Sequence, residues 1–118
     1  NIREAFQLYN EKNANSIVSV CKLGHPINIC NTLPEDHSLV GFIKEQDKYA
    51  RQMNPTYYRI NGSIYMCNTK AFLEYGTIYK EKSYAYIMTE LDSIDIDTED
   101  DFLIAELLIN RKNNISIH

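Results

Sequence analysis

"IREAFQLYNEKNANSIVSVCKL", residues 2–23, carries two periodicities. Ile2, Ala5, Phe6 and Tyr9 recur at i, i+3, i+4 and i+7, which predicts an amphipathic helix over 2–12. Asn13 and Asn15 suit its end and a turn. From Ser16 to Leu23 the residues are mostly apolar and rich in β-branched side chains. That pattern predicts a strand covered on both faces, as in a parallel sheet. A helix that leads into a buried strand is half of a βαβ unit, so the fold class is α/β.

The next stretch, GHPINICNTLPEDHSLVGFIKEQDKYARQMNPT (24–56), holds all three prolines and two of the four glycines. Its short apolar pieces, INI and LVGFI, flank the turn-like LPEDHS. A β-hairpin or an extended arm is expected, followed by a polar connection. Such an excursion serves as an active-site loop or an oligomer arm. YYRINGSIYMC (57–67) is strand-like but broken at Asn61-Gly62, which makes either a tight hairpin turn or a bulge where the backbone approaches a ligand. NTKAFLEYG (68–76) predicts a short helix closed by Gly76. SYAYIMTE (83–90) reads as a strand, and SIDID as a second one or its continuation. DFLIAELLINRK then places Phe102, Ala105, Leu108 and Ile109 on one helical face.

Composition narrows the function. One domain fits 118 residues, and a net charge of −4 supplies no basic excess for nucleic acid or an anionic membrane surface. No apolar run nears the roughly 20 residues of a membrane span. Cys21, Cys30 and Cys67 show no C-x-x-C spacing, and Cys21 and Cys67 sit in apolar strand-like runs, so reduced, buried thiols in a cytoplasmic protein are expected. His25, His37 and His118 fall at no zinc-ligand spacing.

The acidic run "DSIDIDTEDD" (92–101) divides in two. Thr98 can cap a following helix, with Asp101 as its capping-box partner, and Glu99 to Asp101 suit the positive end of the helix dipole. Asp95 and Asp97 are not explained that way, since strand interiors avoid Asp. On a strand they would share one face, with Ile94 and Ile96 on the other. Two such carboxylates can converge on a hard cation such as Mg²⁺; solvated carboxylates are the plain alternative. An EF-hand is excluded, because Asp100 stands where that loop needs Gly.

RQMNPTYYRINGSIYM, followed after a short gap by YAYIMTELDSIDIDTEDDFLIAE, resembles the acylneuraminate cytidylyltransferases, the CMP-sialic acid synthetases. The resemblance spans about residues 1–110. The main departures are Ser63, where Ala is usual, and Asn28, where some members place a lysine after His-Pro. The resemblance implies a partial Rossmann-like nucleotidyltransferase fold, its C-terminal half, with an extended dimerisation arm. Residues 1–118 would form a single incomplete domain and residues 25–59 the arm of a homodimer. The implied activity transfers CMP from CTP to sialic acid, a nine-carbon 2-keto acid, with Mg²⁺ and release of pyrophosphate. The alternatives are a cytidylyltransferase for a related acid sugar (legionaminic, pseudaminic or Kdo) and a non-catalytic dimerising α/β module. By the same resemblance Asp95 and Asp97 would hold Mg²⁺ and serve catalysis. Arg51, Gln52, Arg59, Asn61 and Tyr65 would lie on the sugar side, and Ile78 and Tyr79 would reach the partner's site. A keto acid is an anion at neutral pH, and an arginine fork matches its carboxylate. Gly24, Gly41, Gly62 and Gly76 are isolated, so no Gly-rich cradle for a triphosphate is present. The family carries that cradle upstream of the matching residues, and a helical pattern starts at once after Asn1. A fragment that is inactive alone is therefore expected.

Overall fold

The computed structural model describes residues 1–25, 27–45 and 55–117. It comprises two units, Asn1–Cys21 with Ile60–His118, and Lys22–Arg59.

The first unit is α/β. Helix α1 (Ile2–Glu11) ends as its asparagine predicts. Asn13 takes the left-handed conformation at φ 48°. Its N–H donates to the Asn10 carbonyl (3.1 Å), and the Ala14 N–H reaches back to Tyr9 (3.0 Å). This Schellman closure turns the chain into β1 (Ser16–Lys22). The buried face of α1 is rotated from the expected one. Ala5 is fully buried, and Leu8 and Tyr9 pack on the core, whereas Ile2 and Phe6 are exposed.

Strand β1 is central in a three-stranded sheet, between β2 (Tyr58–Cys67) and β3 (Ser83–Met88). It runs parallel to β3, with Ser16 opposite Ser83 and Cys21 opposite Met88. It runs antiparallel to β2. The Asn68 N–H donates to the Asn15 carbonyl (2.7 Å), and further along Ile64 lies against Ser19. A central strand loses water on both faces, which is why Ile17 and Val18 are both buried. Full burial of a side chain such as Ile17 contributes about 1.5–3 kcal/mol. Ala5, Ala14, Ile17, Ile64 and Met88 form the core cluster.

Helix α2 (Thr69–Tyr75) joins β2 to the loop before β3. The Asn68 side chain accepts from the Ala71 N–H (3.2 Å), and Gly76 closes the helix at φ 68°. Helix α3 (Glu99–Ile117) begins within the acidic run, whose Glu99, Asp100 and Asp101 form its first turn.

Three expectations need correction. SIDID is not a strand: β3 stops at Met88, Leu91–Ser93 form a 3-10 turn, and residues 94–97 have no regular structure. The cause is local. The Thr89 hydroxyl accepts from the Asp92 N–H (3.1 Å), and the Ser93 hydroxyl donates to the Thr89 carbonyl (2.6 Å), which bends the chain out of the sheet. Cys67, at the end of β2, is exposed, while Cys21 is buried.

The third correction concerns the second unit. INI forms a 3-10 turn (Ile27–Ile29), and no strand pairs it with LVGFI among the described residues. Side chains take up the amides that a hairpin ladder would need. Asn31 accepts from the Thr32 N–H (2.7 Å), Asp36 from the Ser38 N–H (3.1 Å) and Ser38 from the Val40 N–H (3.2 Å).

Candidate active site

Strand β2 runs unbroken through Asn61-Gly62, so the dipeptide makes a bulge and not a hairpin turn. Gly62 sits at φ 75°, where a side chain is strained. Two amides beyond it leave the ladder for side chains. The Ser63 N–H donates to Asn61 Oδ1 (3.2 Å) and the Ile64 N–H to Ser19 Oγ (2.8 Å). The bulge turns the Asn61 side chain inward, where it is only 3% exposed.

Asn61 is the hub of a buried polar network. The Ser19 hydroxyl donates to Asn61 Oδ1 (2.6 Å). Asn61 Nδ2 donates to Ser93 Oγ (2.8 Å) and approaches Met88 Sδ (3.4 Å). The Ser93 hydroxyl passes on to the Thr89 carbonyl. Ser19, Asn61 and Ser93 are each at most 3% exposed. A satisfied polar network in a low-dielectric interior fixes one geometry, because losing any member strands its partner.

The network ends two residues before Asp95. On the far side of the acidic segment the expected capping box is present. Thr98 Oγ1 accepts from the Asp101 N–H (3.1 Å), and Asp101 Oδ2 accepts from the N–H groups of Thr98 and Asp97 (both 3.1 Å). The Asp97 amide, and then the Thr98 side chain, hold the Asp101 carboxyl below the usual carboxylate range.

Between these anchors, Asp95 and Asp97 are exposed. Ile94 and Ile96 line an open, mainly apolar groove of about 630 Å³ with Leu91, Ala105, Leu108 and Ile109, and the two aspartates are not part of its wall. The alternation expected of a strand thus persists in an irregular segment. Asp92, at the groove's edge, pairs with Lys112 (3.7 Å). Exposed carboxylate oxygens are the donors that Mg²⁺ prefers. Among the described residues, no group of three or more His, Cys, Asp or Glu could hold a metal ion.

The other candidates are distributed. Arg59 and Tyr65 are exposed on β2, and Arg51 and Gln52 lie outside the described residues. Ile78 and Tyr79 sit in the loop between α2 and β3. Ser16, 2% exposed, anchors that loop. Its hydroxyl donates to the Ile78 carbonyl (2.5 Å) and accepts from Ser83 (2.7 Å). Tyr79 itself is 56% exposed. Sequence reasoning missed Ser16, Ser19 and Ser93. The available signal was two serines inside an otherwise apolar central strand, each of which needs a buried partner.

No protein-family model matches the chain. Curated proteins do. An N-acylneuraminate cytidylyltransferase of Streptococcus agalactiae serotype V is 29% identical over 103 residues, which is 86% of this chain and 25% of that protein. One of Escherichia coli O18:K1:H7 is 32% identical over 117 residues, 98% of this chain and 28% of that protein. A CMP-N,N'-diacetyllegionaminic acid synthase of Campylobacter jejuni is 37% identical over 70 residues, 59% of this chain and 30% of that protein. The chain spans about a quarter of the length of the N-acylneuraminate cytidylyltransferases that it matches. Nearly end to end, then, it resembles one segment of the N-acylneuraminate cytidylyltransferases.

Proposed function

We propose that this chain is the C-terminal part of a CMP-sialic acid synthetase domain. That domain transfers CMP from CTP to a nine-carbon 2-keto acid of the N-acetylneuraminate type and releases pyrophosphate. The observation that carries the reading is the similarity over 98% of the chain to a cytidylyltransferase of that name, a span that includes the acidic segment. The sugar's anomeric oxygen attacks the α-phosphate of CTP. Asp95 and Asp97 are the residues that would hold Mg²⁺, which when bound offsets negative charge on the phosphates. Their exposure and their freedom from the apolar groove wall fit that use. Arg51 and Arg59 are the residues that would offer guanidinium groups to the keto acid's carboxylate, and Gln52 and Tyr65 are assigned with them to the sugar side. Ile78 and Tyr79 serve the site of the second subunit in a cytoplasmic homodimer. The chain by itself would be inactive, since it brings no glycine-rich cradle for the triphosphate.

A related acid sugar is the second reading. It is favoured by the 37% identity over 70 residues to the legionaminic acid synthase. Incubating the complete polypeptide with CTP, Mg²⁺ and a panel of N-acetylneuraminate, legionaminate, pseudaminate and Kdo decides between them. CMP-N-acetylneuraminate as the main product supports the first reading. Preference for another acid selects the second, and no transfer to any of them overturns both.

A further inference from the structure

We infer that Asn61 is a positioning residue for the acidic segment and not a direct ligand of the sugar. This rests on the proposed cytidylyltransferase function. Both polar atoms of its side chain have partners within the chain. Oδ1 accepts from Ser19 and the Ser63 amide, and Nδ2 donates to Ser93 and contacts Met88 sulfur. An amide has two donors and about two acceptor sites, so little capacity is left for a sugar hydroxyl. Burial also places the group away from solvent.

What the network does hold is the start of the acidic segment. Ser93 ends the 3-10 turn, and its hydroxyl is gripped from the sheet by Asn61 and from its own turn by Thr89. At the other end the Asp101 carboxylate holds the Asp97 and Thr98 amides. Residues 94–97 are therefore clamped at both ends. The clamp fixes the backbone from which the Asp95 and Asp97 side chains project. A flexible pair of carboxylates would bear the ordering cost on meeting a cation, whereas a clamped pair has it met in folding.

Two measurements test this. Amide hydrogen exchange on the chain itself should show faster exchange confined to residues 94–98 in Ser93→Ala. A uniform rise across β1 and α1 would mean that the network only stabilises the fold, and no local change would mean that it holds nothing. In the complete enzyme, Ser93→Ala and Asn61→Ala should each raise the Mg²⁺ concentration for half-maximal rate about tenfold, the equivalent of one buried hydrogen bond. The KM for the keto acid should stay within about twofold. Ser93→Thr, which keeps the hydroxyl, should restore the wild-type Mg²⁺ dependence. A large rise in the keto acid KM for Asn61→Ala, with Ser93→Ala silent, would show Asn61 touching the sugar and overturn the inference. If the wild-type protein transfers CMP to no acid, the functional reading has failed, and exchange alone decides whether the clamp exists.

Discussion

At the scale of single residues, the acidic run separates into carboxylates with different work. Asp101 bonds backbone amides, while Asp95 and Asp97 are exposed between two anchors. Under the proposed function, Asp97→Asn should keep the fold and reduce CMP-sugar formation at saturating Mg²⁺ by at least about a hundredfold, because a charged oxygen donor is lost. Asp100→Asn should change only the helix-end charge, worth about 0.3–1 kcal/mol. Equal rates for Asp97→Asn and wild type would remove Asp97 from the metal site. Asp101 also makes a pH prediction. Its carboxyl is held low by the Asp97 amide and the Thr98 side chain, so its contribution is present above the unfolded-state pKa. It is lost as pH falls through the lower folded value. The Asp97 and Thr98 amide resonances should therefore shift together at a pH below the ordinary carboxylate range. A shift within that range would contradict the capping geometry. The cap was legible in the sequence because a capping box is a local pattern, Thr98 with Asp101 three residues on. The Ser19–Asn61–Ser93 network was not, because its members are 42 and 32 positions apart and only the fold brings them together.

At the scale of elements, the sequence was read best where one local rule acts alone. Helix α1, β1, α2 and β3 fall where periodicity and their end signals place them. It was read worst where side chains compete with the ladder for amides. Asn31, Asp36 and Ser38 displaced a hairpin, and Thr89 with Ser93 ended a strand. The Asn61-Gly62 ambiguity was of the same kind, since turn and bulge both need a positive φ and both favour glycine. Gly62→Ala tests the bulge. A Cβ there would meet nothing within 4 Å, so the cost is backbone strain alone, about 1–2 kcal/mol. A drop of that size in stability from denaturant unfolding is expected. An unchanged midpoint would mean that the chain relaxes out of the left-handed conformation. Thr98→Ala should remove the cap of α3 and cost about 0.5–2 kcal/mol in the same assay.

At the scale of the whole molecule, several apolar side chains face solvent. On α3, Phe102 and Ile109 of the helical face read from the sequence are exposed while Ala105 and Leu108 are half-buried, and Leu103, Ile104 and Leu107 beside that face are exposed too. Exposed apolar surface beyond isolated residues marks a surface that meets another chain or segment. The same applies separately to the second unit, where Leu39 is 68% and Val40 95% exposed. Residues 25–59 are proposed as the arm of a homodimer, and these two side chains offer the means to test it. Under sedimentation at high concentration the chain should run as a dimer. Leu39→Asp with Val40→Asp should shift it to monomer, because a charge buried without a partner opposes association by several kcal/mol. Circular dichroism should stay unchanged, since both positions already face water and neither belongs to the core cluster. A dimer that survives the double substitution would move the interface elsewhere, with the exposed side of α3 next to be tested. A wild-type chain that stays monomeric would exclude the arm as a self-sufficient dimerisation device.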